Sequence, residues 1–257
     1  MINDLDTNAQ QWKYVDDTTT SEVAVKGGVS HMQAIANRVI DWSRENRVQL
    51  NADKSKELRI SFAKEQRAFD PVIIEGKEVE LVTSTKLLGL TIANDLTWND
   101  HVTVITKKAS KRLYFLTQLK RAGVPKQDLA MFYVSCVRSV IDYAAPVFSN
   151  GLPQYLKNEL VRLEKRAISI ITSGKCNSAI EVGVTPILEH HYVLCSKLFD
   201  NIVSDPNHKL KALLSPDYDN SRYNLRRPRH FNMPKLCTNR TRNTFIYMYA
   251  MSKQSRL

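Results

Sequence analysis

From Thr97 onward the apolar residues fall at helical spacing, and that regularity most constrains what this chain can fold into. Trp98, Val102, Ile105, Ala109, Leu113 and Leu116 form one stripe, which Gly123 and Pro125 terminate. Asp100, three residues after Thr97, offers a capping partner at the start. A second, strongly apolar helix is predicted over Leu129–Ile141, central to a helical core. Leu156, Leu160, Leu163, Ala167 and Ile168 mark a third. Thr185-Pro186, an N-cap followed by proline, opens a fourth that runs to about Val203.

The front of the chain has a different rhythm. Trp12–Val15 and Thr18–Val25 read as two strands of a hairpin that turns at Asp16-Asp17. Leu58, Ile60 and Phe62 alternate as a strand, and Pro71–Val82 reads as a second hairpin turning at Glu75-Gly76-Lys77. Lys86–Ile92 reads as a buried strand with Gly89 where another backbone approaches. Between them Ser30 caps an amphipathic helix of about 18 residues, whose Met32, Ile35, Ala36, Val39 and Ile40 pack on a sheet. The expected class is α+β, with strands first and helices after.

Composition narrows the classes further. The chain has 257 residues and 43% hydrophobic content, enough for one large core or two modest ones. The longest apolar candidate, 129–148, contains Arg138 and Asp142, so no membrane span is expected. Met1-Ile2-Asn3-Asp4 has no basic region or apolar core of a secretory signal, so an intracellular protein, nuclear or cytoplasmic, is expected. Cys136, Cys176, Cys195 and Cys237 are widely spaced and suit a reducing compartment. Residues 1–100 hold 12 Lys/Arg and 16 Asp/Glu, whereas residues 101–257 hold 25 and 10. An acidic front and a basic back suit an enzyme of nucleic acid that uses metal ions; a solvated basic surface is the plain alternative.

Two adjacent carboxylates repel each other unless a cation lies between them, and Mg²⁺ prefers carboxylate oxygen. Asp16-Asp17 is therefore either simple turn chemistry or a metal-binding pair. Tyr14-Val15-Asp16-Asp17, with Thr18-Thr19 after it, resembles the central palm motif of reverse transcriptases of non-LTR, LINE-like (jockey-type) retrotransposons.

That resemblance implies a C-terminal palm fragment at residues 1–95, a helical thumb and connection at 96–204, and a basic extension at 205–257. It implies Mg²⁺ on Asp16 and Asp17, with Lys54 beside the leaving pyrophosphate of nucleotidyl transfer. It makes Leu88-Gly89 the turn that supports the primer terminus. It makes Lys107, Lys108, Lys111 and Arg112 the grip on the primer–template duplex. An RNA template and a DNA primer would be the partners, with no small-molecule cofactor and no membrane. The family's metal site takes a further aspartate from an upstream strand, and only 15 residues precede Asp16. The chain alone is thus expected to be inactive, with an open sheet edge, and to bind a hydrophobic dye or self-associate.

A different class remains open from the residues themselves: a non-catalytic nucleic-acid-binding helical module, or a retroelement remnant. Lys107, Lys108, Lys111 and Arg112 lie together on one helical face, fit either for phosphates or for water. From Ser221 to Leu257 there are nine Lys/Arg and no acid, interleaved with Tyr223, Phe231, Phe245, Tyr247 and Tyr249. Such a mixture contacts single strands by charge and stacking, or is a basic tail with a few packing aromatics. His191 and Cys195, four apart on one helix, supply two zinc ligands where a site needs four.

Overall fold

The computed structural model describes residues 4–25, 27–63, 68–175, 178–214, 231–232, 235–236 and 238–255. Lys26, Cys176, Cys237, Tyr223 and the Arg226–Arg229 run lie outside the described residues. The class is α+β, and the chain divides into two compact units, residues 1–97 and 98–257.

The first unit opens with a hairpin, β1 (Gln10–Tyr14) and β2 (Asp17–Ser21), in the register Tyr14↔Asp17. The two-residue loop is Val15-Asp16, with Val15 at φ 57. Helix α1 (Met32–Glu45) follows. Its start is fixed from outside, because Ser30 Oγ accepts the Met32 N–H at 3.2 Å and the Glu22 carboxylate accepts the His31 N–H at 2.8 Å. The Gln33 side-chain amide behaves like a neighbouring strand, donating to Ile73 O at 3.0 Å and accepting from Ile73 N at 2.7 Å.

Three further pairs complete this unit. Strands β4 (Ile73–Ile74) and β5 (Lys77–Glu78) are antiparallel about Glu75-Gly76. Strand β3 (Lys56–Leu58) pairs in parallel with β6 (Glu80–Val82), and β7 (Ser84–Leu87) pairs with β8 (Leu90–Ala93) about Leu88-Gly89. Ala36, Val72 and Val79 form a small core with Met32 and Ile74 against it.

Two expectations change here. The strands do not form one palm sheet; among the described residues they are four separate two-stranded pairs. Three of them close over two-residue loops, a local geometry that needs no shared sheet. The predicted strand through Ile60 and Phe62 stops at Leu58, and both side chains are exposed, at 47% and 61%.

The second unit is helical. Helix α2 (Asn99–Arg121) begins two residues after Thr97, because Thr97 turns its own N–H and hydroxyl onto Asp95, both at 2.9 Å. The buried stripe from Val102 to Leu116 is the predicted one. Helix α3 (Lys126–Phe132) passes through a π-helical segment, Tyr133–Arg138, into α4 (Ser139–Asp142). Leu129, Tyr133, Val137 and Ile141 are all fully buried. They are spaced by four, and a wider turn keeps such a row on one face where 3.6 residues per turn would rotate it away.

Ala144, at φ 54, breaks the rod before α5 (Ala145–Phe148). Helices α6 (Gln154–Thr172) and α7 (Ile187–Ser204) complete the core. Two short C-terminal helices, α8 (Asn239–Arg242) and α9 (Phe245–Ser255), follow. Phe231, Tyr249 and Ala250 pack with Cys195 and Phe199 of α7, and Phe245 covers them. These tail aromatics are core, not base-stacking groups.

Candidate nucleic-acid interface

Helix α2 has two opposed faces. Val102, Ile105, Ala109, Leu113 and Leu116 are buried against α6 and the α3–α4 rod. Thr106 Oγ1 ties the helix to α6 by donating to Glu159 Oε1 at 3.1 Å, and Lys120 Nζ does so by donating to Ile171 O at 3.1 Å. The outward face carries Lys107, Lys108 and Lys111, all exposed. None of the three pairs with a carboxylate among the described residues. Three ammonium groups within about 6 Å of helix rise raise one another's energy and attract a polyanion.

Arg112, grouped with these lysines by spacing, has a partner within the helical unit. Its guanidinium donates through Nη1 to the Cys136 carbonyl in the π segment. It braces α2 against the rod, because a widened helical turn leaves carbonyls in need of outside donors.

The sequence reading missed two neighbours of the lysine row. Tyr114 and Phe115 follow Lys111 at three and four residues, so they share its face; they are 62% and 57% exposed. Their rings meet edge to face with centroids 5.7 Å apart. Arg121, seven residues after Tyr114, is exposed beyond them. The signal was present: the series 107, 111, 114, 118, 121 alternates steps of four and three.

Behind the face lies a polar core that the sequence reading also missed, having treated Arg138 and Asp142 only as charges that forbid a membrane span. Asp142 accepts from Arg138 Nε at 3.1 Å and His191 Nε2 at 3.0 Å, and His190 Nε2 lies 3.3 Å away. Arg138 Nη1 also donates to Thr185 O at 2.6 Å. Nearby, Glu164 accepts the Ile187 N–H at 3.2 Å. Burial raises the Glu164 carboxyl pKa, opposed by that N–H and by Arg138. Burial also raises the Tyr133 phenol pKa, with Glu164 adding to it. Both groups are buried.

His191 Nε2 lies 3.0 Å from Asp142 Oδ1, and Cys195, four residues on, is buried with Ser149 Oγ 3.6 Å from its sulfur. Among the described residues no three His, Cys, Asp or Glu side chains converge as a metal site. Asp16 and Asp17 are exposed at the β1–β2 turn, and Lys54 is exposed in the turn before β3. Two carboxylates without a third donor do not fit a two-ion Mg²⁺ centre. Leu88 and Gly89, at φ 45 and 87, form the β7–β8 turn. No described helix is long and apolar enough to cross a membrane.

Comparison with known proteins places the likeness elsewhere than on the aspartates. Residues 98–139 match the family model described as alkylated DNA repair protein alkB homolog 8, N-terminal. No curated protein and no solved structure matches the chain. Nothing there points to a reverse transcriptase, and the matched segment is the α2–α4 region that the resemblance assigned to a thumb. The reverse-transcriptase identity, the polymerase-fragment function and the retrotransposon vocabulary attached to them are therefore corrected. The physical reason is local: a Tyr-Val-Asp-Asp turn is a generic two-residue hairpin connection here.

Proposed function

We propose that the helical unit, residues 98–257, is a nucleic-acid-binding module whose contact face is the outer side of α2. The observation that carries this reading is the row Lys107, Lys108 and Lys111, exposed on a helix whose opposite face is locked into the core. The excess of basic residues beyond residue 100 adds a longer-range attraction for a polyanion. A model named for an alkylated DNA repair protein covers the same helix, which agrees with work on nucleic acid.

The test is a salt titration of the full chain with a labelled oligonucleotide. Binding should weaken as salt rises, with a log–log slope of about −0.7 per phosphate contacted on a single strand or −0.9 on a duplex. Replacing Lys107, Lys108 and Lys111 together by Gln should flatten that slope by about 2. Absent binding at low salt, or an unchanged slope in the triple variant, would sink the reading.

A further inference from the structure

Resting on that reading, we infer that the α2 face selects single-stranded nucleic acid, with Tyr114 and Phe115 stacking on unpaired bases between flanking cations. Both rings stand in solvent on a helix whose apolar requirement is met on its other side by Val102, Ile105, Ala109, Leu113 and Leu116. Tyr114 lies in line with Lys107 and Lys111 before it and Arg121 after it, and Phe115 lies beside Lys108 and Lys111. Seven residues of helix advance about 10 Å, so the step from Lys107 to Tyr114 spans about three nucleotides of stacked strand at 3.4 Å each. Cations placed for the backbone beside aromatic faces placed for bases are the two halves of a single-strand site.

A duplex fits less well. Its base faces are already covered by their neighbours, so it offers the lysines phosphates but offers the rings only sugar and backbone. A single strand exposes a π-face on each base. The edge-to-face arrangement of Tyr114 and Phe115 presents the two rings in different planes, with an interplanar angle of 74°. One base stacks on each ring, therefore, and not one base across both. The tail aromatics Phe231 and Tyr249 are buried on α7 and cannot share this role.

The experiment uses the full chain, with fluorescence anisotropy on three probes at one salt concentration. They are a 12-nucleotide uridine RNA, a 12-nucleotide thymidine DNA and a 12-base-pair blunt DNA duplex. The single strands should bind more tightly than the duplex. Tyr114→Leu and Phe115→Leu should each weaken single-strand binding at least about fivefold, the low end of what losing one stacked base costs. Neither should change the salt slope or duplex binding, because no cation is removed. Leucine keeps exposed apolar bulk on the helix, and an unchanged thermal melt confirms that the fold is intact.

Equal or tighter duplex binding, or leucine variants with wild-type single-strand affinity, overturns this inference while leaving the lysine-dependent reading standing. Loss of self-association in the leucine variants, with nucleic-acid affinity unchanged, also overturns it and assigns the rings to a protein contact. No binding to any probe at low salt overturns both.

Discussion

Arg138 donates through Nε to Oδ2 of Asp142, 3.1 Å away and one helical turn further on, with both side chains largely withdrawn from water. The pair spans the junction of the π segment and α4, and His191 reaches the other carboxylate oxygen from α7. One carboxylate thus ties the central rod to α7. It also neutralises the guanidinium that holds the Thr185 carbonyl just before α7 begins.

Removing that carboxylate leaves a buried cation uncompensated. Asp142→Ala should cost about 3–5 kcal/mol, measured by urea unfolding of the full chain. Replacing the pair together, Arg138→Met with Asp142→Leu, should recover much of that loss. A single variant costing less than about 1 kcal/mol would show that the pair carries no such burden.

Acid should loosen the same unit through its histidines. Burial lowers the His101 pKa below 6.5, helped by Lys108. Burial likewise lowers His190, with Arg138 adding and Asp142 opposing. A depressed histidine contributes stability that is present above the unfolded value of 6.5 and is lost as pH falls through the folded value. Glu164, raised above 4.5 by burial, has the opposite sign, losing its contribution as pH rises through its folded value. Unfolding free energy should therefore fall between pH 7.5 and pH 5.5, and the fall should shrink in His101→Gln. A flat profile would contradict the burial argument.

What was legible from the residues follows from how local each interaction is. The α2 stripe and the turn at Glu75-Gly76 are written within a few neighbouring positions, and the structure keeps them. Lys86–Ile92, expected as one buried strand, instead folds back at an exposed Leu88-Gly89 turn, because Gly89 supplies the positive φ of a two-residue loop. The parallel pairing of Lys56–Leu58 with Glu80–Val82 joins segments 24 residues apart, and no local pattern announces it. The π segment was hidden inside a run that reads as ordinary helix; only the strict spacing of four from Leu129 to Ile141 hinted at it. On α2, spacing groups Arg112 with the lysines but does not announce its bond to the Cys136 carbonyl, because that partner lies 24 positions away. The Asp16-Asp17 doublet drew attention by its chemistry, yet its position is that of a turn.

That turn contains a correctable strain. Val15 has φ 57, where a β-branched side chain crowds its own backbone, and it is 77% exposed, so little packing offsets the crowding. Glycine adopts that region freely and suits the first position of a two-residue hairpin loop. Val15→Gly should stabilise the β1–β2 hairpin by about 1 kcal/mol. Slower amide exchange at the Trp12↔Thr19 pair, the next hydrogen-bonded pair from the loop, would register it. Faster exchange would mean that Val15 packs more than its exposure indicates.

Arg112 and Lys111 are sequence neighbours with opposite assignments, which makes them a sharp pair to compare. Arg112 braces the Cys136 carbonyl, so Arg112→Gln should lower stability by about 1 kcal/mol and leave the salt dependence of oligonucleotide binding nearly unchanged. Lys111 faces water with no carboxylate partner among the described residues. Lys111→Gln should leave the unfolding midpoint in place while reducing the single-strand salt slope by about 0.7. Urea unfolding and anisotropy titrations on both variants separate the roles. If Arg112→Gln shifts the slope and Lys111→Gln shifts the midpoint, the brace and the contact have been assigned to the wrong residues. The nucleic acid would then lie toward the π segment, off the outer face of α2.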